Sequence, residues 1–123
     1  MLARKALAGT AGTPKLYVED VFSTYLWTNV DNTTNPVVNG IDLSTEGGLV
    51  WMKARERSDY SHLLYDTNRG TSSALSSDTT GTPSTGFGSI TYNTNGFTKN
   101  SGGGNEKYVS WTFRKAKKFF DVV

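Results

Sequence analysis

Apolar and polar residues alternate along several short segments of the chain. In residues 47–54, GGLVWMKA, the alternation places one set of side chains on one face of an extended strand: Val50, Met52 and Ala54. The opposite face receives Leu49, Trp51 and Lys53. Residues 107–113, KYVSWTF, alternate most clearly, and we expect their larger apolar side chains to point inward: Val109, Trp111 and Phe113. Tyr108, Ser110 and Thr112 are expected to point outward.

Further segments have the composition of strands or of the turns between them. Residues 16–28 are rich in β formers, and because neither face is cleanly polar we expect a strand that is covered on both sides or lies across a subunit contact. Residues 29–36 have turn chemistry, and Asn39-Gly40 and Asn95-Gly96 are dipeptides typical of tight turns. Residues 60–67 are predicted to return as a strand. KFFDVV, residues 118–123, is interpreted as a final strand or the start of a continuing segment.

These segments together predict an all-β fold. Short strands separated by frequent turn residues are typical of a β-sandwich or jelly roll. Residues 1–15 are small, basic and rich in glycine and threonine, so we predict an N-terminal arm that becomes ordered only against a partner. Its candidate partner-binding residues are Leu2, Arg4, Lys5 and Leu7. The predicted organisation is therefore an arm followed by one sandwich domain, residues 16–123.

Composition narrows the classes of function. A chain of 123 residues has room for one small core. The absence of cysteine excludes disulfides and thiolate metal sites, and a single histidine argues against zinc, so no metal or cofactor is expected. The net charge is only +2, and the basic cluster in FRKAKKFF is a weak nucleic-acid signal. Nucleic acid is therefore not a predicted partner. No apolar run is long enough for a membrane span, so a membrane is not a predicted partner either.

Candidate catalytic residues are few, and each has a simpler structural interpretation. His62 lies in a strand-like segment without a nucleophile motif, which favours a structural role. The acidic residues lie in turns or polar segments, which favours surface roles over paired acid–base catalysis. The stretch DTNRG, from Asp66 to Gly70, begins like a calcium loop but lacks the later ligands, so an Asx-type turn is favoured. We therefore predict a protein without catalytic residues.

The stretch from residue 55 to residue 65 combines basic and aromatic residues. Exposed tyrosine and tryptophan rings on β-sandwiches often stack on sugar rings, and Tyr60, Tyr65 and Trp27 are the candidates here, although core packing is the simpler interpretation. The candidate contact residues are Arg55, Arg57, Tyr60 and Tyr65.

Six segments carry a resemblance that goes beyond composition: EDVFSTYLWT, NGIDLSTEGGLVWMKAR, HLLYDTNRG, LSSDTT, NTNGFTKNSGGGN and YVSWTFRKAKKFFDVV. In this order they resemble a virion structural domain of tail-fibre and appendage proteins from marine and cyanobacterial bacteriophages. The resemblance covers about residues 17–123. Asn95 stands where that family usually has aspartate, and Lys117 stands where proline is common. These departures change turns and leave the strand segments intact.

The resemblance implies a concanavalin-like or jelly-roll sandwich in a non-enzymatic virion protein of the phage tail, assembled in the host cytoplasm. It implies an arm that binds other tail proteins of the adaptor or nozzle type, and a sandwich that packs with copies of itself as a homotrimer. Members of the family normally continue beyond this point, so a fragment of a longer fibre or a short particle-bound relative is expected. The alternative hypothesis is a carbohydrate-binding module that recognises host surface polysaccharide through the candidate contact residues. A polysaccharide depolymerase ranks third.

Overall fold

A computed structural model describes residues 15–123, which form two antiparallel β-sheets and two single-turn helices. The elements are, in order, α1 (Val18–Val21), β1 (Phe22–Asn29), β2 (Thr34–Val38), α2 (Leu43–Glu46), β3 (Gly48–Ala54), β4 (Leu63–Asp66), β5 (Leu75–Ser76), β6 (Ser89–Asn93), β7 (Gly96–Asn100) and β8 (Glu106–Arg114). One sheet has the order β1-β8-β3-β4-β5, and the other has the order β2-β7-β6. The predicted all-β sandwich is confirmed. The jelly-roll and concanavalin-like topologies stay predictions.

The core lies between the two sheets. The five-stranded sheet contributes Trp27, Val50, Met52, Ala54, Leu63, Tyr65 and Tyr108, and the three-stranded sheet contributes Val37, Ile90 and Phe97. Trp27 joins the sheets, because its ring stacks on Tyr108 at 4.9 Å and meets Phe97 edge-on at 6.0 Å. Burying a large apolar side chain contributes about 1.5–3 kcal/mol, so this cluster supplies much of the stability of the fold.

The alternation of side chains predicted for residues 47–54 and 107–113 is confirmed. In β3, Val50, Met52 and Ala54 share one face, as predicted, and the structure shows that this face is buried. In β8 the prediction of the inward face is wrong, because Tyr108, Ser110 and Thr112 are the buried residues. The cause is the antiparallel register, which places Trp111 directly opposite Trp51. Since directly paired residues share a face, the outward Trp51 carries Trp111 outward as well.

Other element boundaries also differ from the predictions. The predicted strand at residues 16–28 begins with helix α1, in which the Tyr17 backbone N–H donates to Asp20 Oδ2 at 3.0 Å, as in one half of a capping box. Strand β2 begins inside the predicted turn. The last segment forms a turn closed by a bridge between Ala116 and Phe120, so its prediction as a strand is wrong.

Two predicted features are confirmed. The return strand after the charged loop is present as β4, although it is shorter than residues 60–67. Strands β6 and β7 form the predicted hairpin, with Asn95 in the turn and Gly96 as the first residue of β7. Gly96 has a φ of 145°, and a side chain there would meet the Val37 carbonyl, so only glycine fits this position.

Candidate functional site

The centre of the outward face of the five-stranded sheet is apolar, while Thr24 of β1 and Lys53 of β3 lie on the same face. Six side chains form this aromatic face: Leu49, Trp51, Leu64, Val109, Trp111 and Phe113. All six are partly exposed. The outer face of an antiparallel sandwich is normally polar, because it meets water. The aromatic face therefore has the composition of a surface that another protein covers.

The rings of the aromatic face hold one another in place. The Trp51 and Trp111 ring centroids lie 5.3 Å apart, and Phe113 lies 5.0 Å from Phe22 and 5.3 Å from Phe120. Trp51 Nε1 also donates a hydrogen bond of 2.9 Å to Nδ1 of a neighbouring imidazole, His62. This bond requires an unprotonated Nδ1, so His62 acts as an acceptor that fixes the indole. The face is thus shaped before any partner arrives.

The outward face of the three-stranded sheet is polar along β6 and β7, while β2 adds Pro36 and Val38. Its main members form the threonine face: Thr34, Thr91, Asn93, Thr98 and Asn100. Side chains bridge neighbouring strands there, with Asn100 Nδ2 donating to Thr91 Oγ1 at 2.9 Å and Asn93 Nδ2 donating to Thr98 Oγ1 at 3.0 Å. This is the hydrogen-bonded polar surface expected of a sheet that faces water.

The charged loop between β3 and β4 has a fixed shape. Arg57 pairs with both oxygens of Asp59, at 2.8 and 2.6 Å, and with Glu106 at 2.9 Å, while its guanidinium lies 4.3 Å from the Tyr60 ring centroid. The hydrogen bonds from Arg57 lower the pKa of Asp59 to about 2, and those to Asp59 and Glu106 raise the pKa of Arg57. Because Asp59 stays ionised at ordinary pH, it can accept hydrogen bonds but cannot act as a general acid.

The predicted contact residues separate into two groups. Arg55, Arg57 and Tyr60 lie together at one end of the sandwich, where Arg55 Nε donates to the Tyr108 carbonyl at 3.1 Å. Tyr65 is fully buried, and its hydroxyl lies 3.1 Å from the Phe87 carbonyl. The prediction that Tyr65 contacts a ligand is therefore wrong, since its position in β4 points it into the core. The arm residues Leu2, Arg4, Lys5 and Leu7 lie outside the described residues.

The other candidate motifs have structural roles. Asp66 Oδ1 accepts from the backbone N–H groups of Asn68 at 3.0 Å and Arg69 at 2.9 Å, so the predicted Asx-type turn is confirmed. Within residues 15–123, no group of three or more histidine, aspartate or glutamate side chains lies close enough to hold a metal ion. Neither of the two described helices is long and apolar enough to cross a membrane.

Lys99 is a buried cation that sequence reasoning did not identify. Its Nζ donates to the carbonyls of Phe87 at 2.7 Å and Ser101 at 2.6 Å, and burial lowers its pKa to about 8. Lys99 thereby ties the loop before β6 to the loop after β7. The period-two pattern of β7 could have found it, because it places Lys99 on the same face as the buried Phe97.

Comparisons with known proteins give one match. A family model described as a domain of unknown function, DUF7483, matches residues 18–119. No curated protein and no solved structure matches the chain. The matched segment begins with α1 and includes every strand of both sheets. The chain therefore belongs to the DUF7483 family.

Proposed function

We propose that this chain is a non-enzymatic structural domain of a bacteriophage tail appendage, and that it packs with copies of itself through the aromatic face. The assignment to a phage virion is supported by the resemblance of its six sequence segments to virion appendage domains. The observation that carries the packing role is the contrast between the aromatic face and the threonine face of the same sandwich.

The aromatic face has the physical properties of a protein interface. Tryptophan and phenylalanine are enriched in the buried centres of interfaces, where a few such side chains carry most of the binding energy. Each square ångström of apolar surface removed from water contributes about 25 cal/mol. The rings are already fixed by one another and by His62, so association costs little side-chain entropy. In a homotrimer, the aromatic face of each of the three chains would be buried.

The oligomeric state of the full chain tests the packing role directly. Light scattering after size-exclusion chromatography should give the mass of three chains. Trp111→Thr replaces the central ring by a good strand former, and it should weaken self-association at least tenfold. Val38→Thr is the matched control, because Val38 is 59% exposed and lies on the outward side of the three-stranded sheet. It should leave the mass unchanged.

Two outcomes would contradict parts of the proposal. A monomer at high concentration, or equal effects of Trp111→Thr and Val38→Thr, would exclude self-packing through the aromatic face. A mass of two chains would keep self-packing and contradict the trimer.

The place in the virion needs the intact particle. Cryo-electron microscopy of a phage that encodes this chain should show the sandwich in the tail, with residues 1–15 ordered against a neighbouring tail protein. An arm without density, or an aromatic face that meets only solvent in the particle, would overturn this assignment.

A further inference from the structure

We infer that a cavity at one end of the sandwich binds a single neutral hexose ring. The cavity has a volume of about 240 Å³. It is lined by Asp59, Tyr60, Ser61, Leu63, Gly86, Phe87, Gly103 and Tyr108. None of these residues belongs to the aromatic face, so the site does not depend on the proposed packing with other copies. Ligand sites for drug-sized molecules occupy roughly 300–1,000 Å³, so this volume suits one small ring.

The walls of the cavity are held in place by two lysines that donate to backbone carbonyls. On one side, Lys53 Nζ donates to the backbone carbonyls of Arg57 and Tyr60 and so fixes the end of the charged loop. On the other side, Lys99 Nζ holds the Phe87 carbonyl at 2.7 Å and the Ser101 carbonyl at 2.6 Å. A cavity whose walls are fixed in advance loses less conformational entropy when a ligand binds.

Glycines bring the backbone close to the aromatic hydroxyls. Gly103 and Gly104 have positive φ angles of 93° and 67°. A side chain at Gly103 would approach Tyr108 Oη to 2.8 Å, and one at Gly104 would approach Tyr60 Oη to 2.9 Å. The Tyr108 hydroxyl donates to the Gly103 carbonyl at 3.0 Å, and this bond fixes the position of Gly103 relative to the Tyr108 ring. The glycine run thus lets the backbone pack directly against the two tyrosine hydroxyls and fixes the positions of both rings.

The chemistry of the cavity is amphipathic. Tyr60, Phe87 and Tyr108 supply apolar ring surface, as does the carbon face of a hexose. Asp59 is ionised and keeps lone pairs that Arg57 does not use, so it can accept hydrogen bonds from sugar hydroxyls. Ser61 Oγ donates to Asp78 Oδ2 at 3.3 Å, which leaves its own lone pairs free to accept. Ring surface with a few hydroxyl acceptors matches a sugar ring better than a wholly apolar ligand.

The charges around the cavity favour a neutral ligand. Arg57 is paired with both Asp59 and Glu106, and Asp78 lies beyond Ser61. The three carboxylates stand against three cations, Arg57, Lys53 and Lys99, so the charges around the cavity balance and favour neither phosphate nor an acidic sugar. A larger hollow of about 670 Å³ runs along Lys115–Asp121, but its walls come almost entirely from that single turn. It has no opposing side to enclose a ring.

Nuclear magnetic resonance of the full chain tests the site. Glucose, galactose, mannose and N-acetylglucosamine are titrated separately into ¹⁵N-labelled protein. At least one should move the amide signals of Tyr60, Ser61 and Gly103, with a dissociation constant on the order of 1–10 mM, as expected for a single ring in a small site. Choline and inorganic phosphate are titrated as the competing cationic and anionic probes.

Variants connect the signal to the cavity. Phe87→Ala removes a ring wall and should weaken hexose binding at least tenfold. Because Phe87 also packs against the core, Ser61→Ala is the second variant, and it should weaken binding about threefold while the spectrum stays folded. Tyr25→Ala is the control, since Tyr25 is a partly exposed aromatic residue outside the cavity.

Three results would overturn the inference. The first is the absence of shifts at these amides with all four sugars at about 100 mM, far above the expected dissociation constant. The second is tighter binding of choline or phosphate than of any hexose. The third is wild-type affinity in both Phe87→Ala and Ser61→Ala. None of these results affects the oligomer measurements, so the two proposals can fail separately.

Discussion

The two outward faces of this sandwich are built from different chemistry. The threonine face is a network of hydroxyl and amide side chains, in which Asn100 reaches Thr91 and Asn93 reaches Thr98 across neighbouring strands. The aromatic face has two directly opposed tryptophans, Trp51 and Trp111, at its centre. Both faces belong to antiparallel sheets over one core, so the difference does not arise from the fold.

The comparison indicates which of the two faces is suited to remain exposed to solvent. A polar network gains nothing from being covered, because its groups already have partners and water completes them. A partly exposed aromatic cluster gains apolar burial as soon as a partner covers it. The same chain therefore carries its own control for every experiment on self-association.

The largest expected effect is the loss of stability when a core residue is truncated, compared with the loss when a residue of the aromatic face is truncated. Met52 is fully buried, and its neighbour Trp51 points the other way. Met52→Ala should lower the free energy of unfolding by about 2–5 kcal/mol, because it leaves a cavity between the sheets. Trp51→Ala should lower it by only about 1 kcal/mol in dilute protein, since that ring is already partly exposed. Urea unfolding of both variants measures the difference.

Urea unfolding of the two variants at several protein concentrations supplies the control. At concentrations at which the chain self-associates, the cost of Trp51→Ala should rise, because the interface adds to it, while the cost of Met52→Ala should stay constant. Equal costs for the two variants in dilute protein would show that the aromatic face is a second core within the monomer.

Periodicity gave both faces of β3 and β8 but not the choice between them. In β3 no inward face was predicted, and the buried face is the one without Lys53. In β8 both faces lack charge between Tyr108 and Phe113, and side-chain size favoured the wrong one. The pairing of Trp51 with Trp111 determines which face of β8 is buried. This register is a long-range property, so it cannot be read from the sequence of one strand.

The candidate site was predictable only where its residues are close in sequence. Arg57 and Tyr60 share one loop, and the sequence placed them together. Phe87 and Gly103 reach the same cavity from loops near the other sheet, and nothing local marks them. Tyr65 was misplaced because a tyrosine between Leu64 and Asp66 reads equally well as exposed or buried until the phase of β4 is known.

The interior beneath the threonine face differs from a purely apolar one, because it contains the ammonium of Lys99. The folded state lowers the pKa of Lys99 from 10.5 to about 8, so the unfolded chain binds more protons between these values. The free energy of unfolding should therefore rise with pH in this window, by about 1 kcal/mol between pH 8 and 9.5. This stabilisation is complete above pH 10.5 and is lost as the pH falls through 8.

Tyrosines limit this rise. Burial raises the pKa of Tyr65 and Tyr92, and it raises that of Tyr108 to about 12. Above about pH 10 the unfolded chain loses these protons first, so the free energy of unfolding should fall again. Urea unfolding from pH 7 to 11 should thus show a maximum near pH 9.5. Lys99→Met should remove the rise and keep the fall, and an unchanged profile in that variant would contradict the assignment.

The smallest expected effect concerns the edge of the aromatic face, where His62 accepts the hydrogen bond from Trp51 Nε1 at 2.9 Å. His62→Phe keeps a ring beside Trp51 but removes the acceptor. The free energy of unfolding should fall by only about 0.5 kcal/mol, because water can take over the bond at a partly exposed indole.

The chain has three tryptophans, so the indole N–H signal of Trp51 can be assigned with Trp51→Phe and followed directly. It should shift in His62→Phe while the indole signals of Trp27 and Trp111 move less. If the Trp51 signal stays in place, the imidazole does not fix this ring, and the aromatic face owes its shape to ring packing alone.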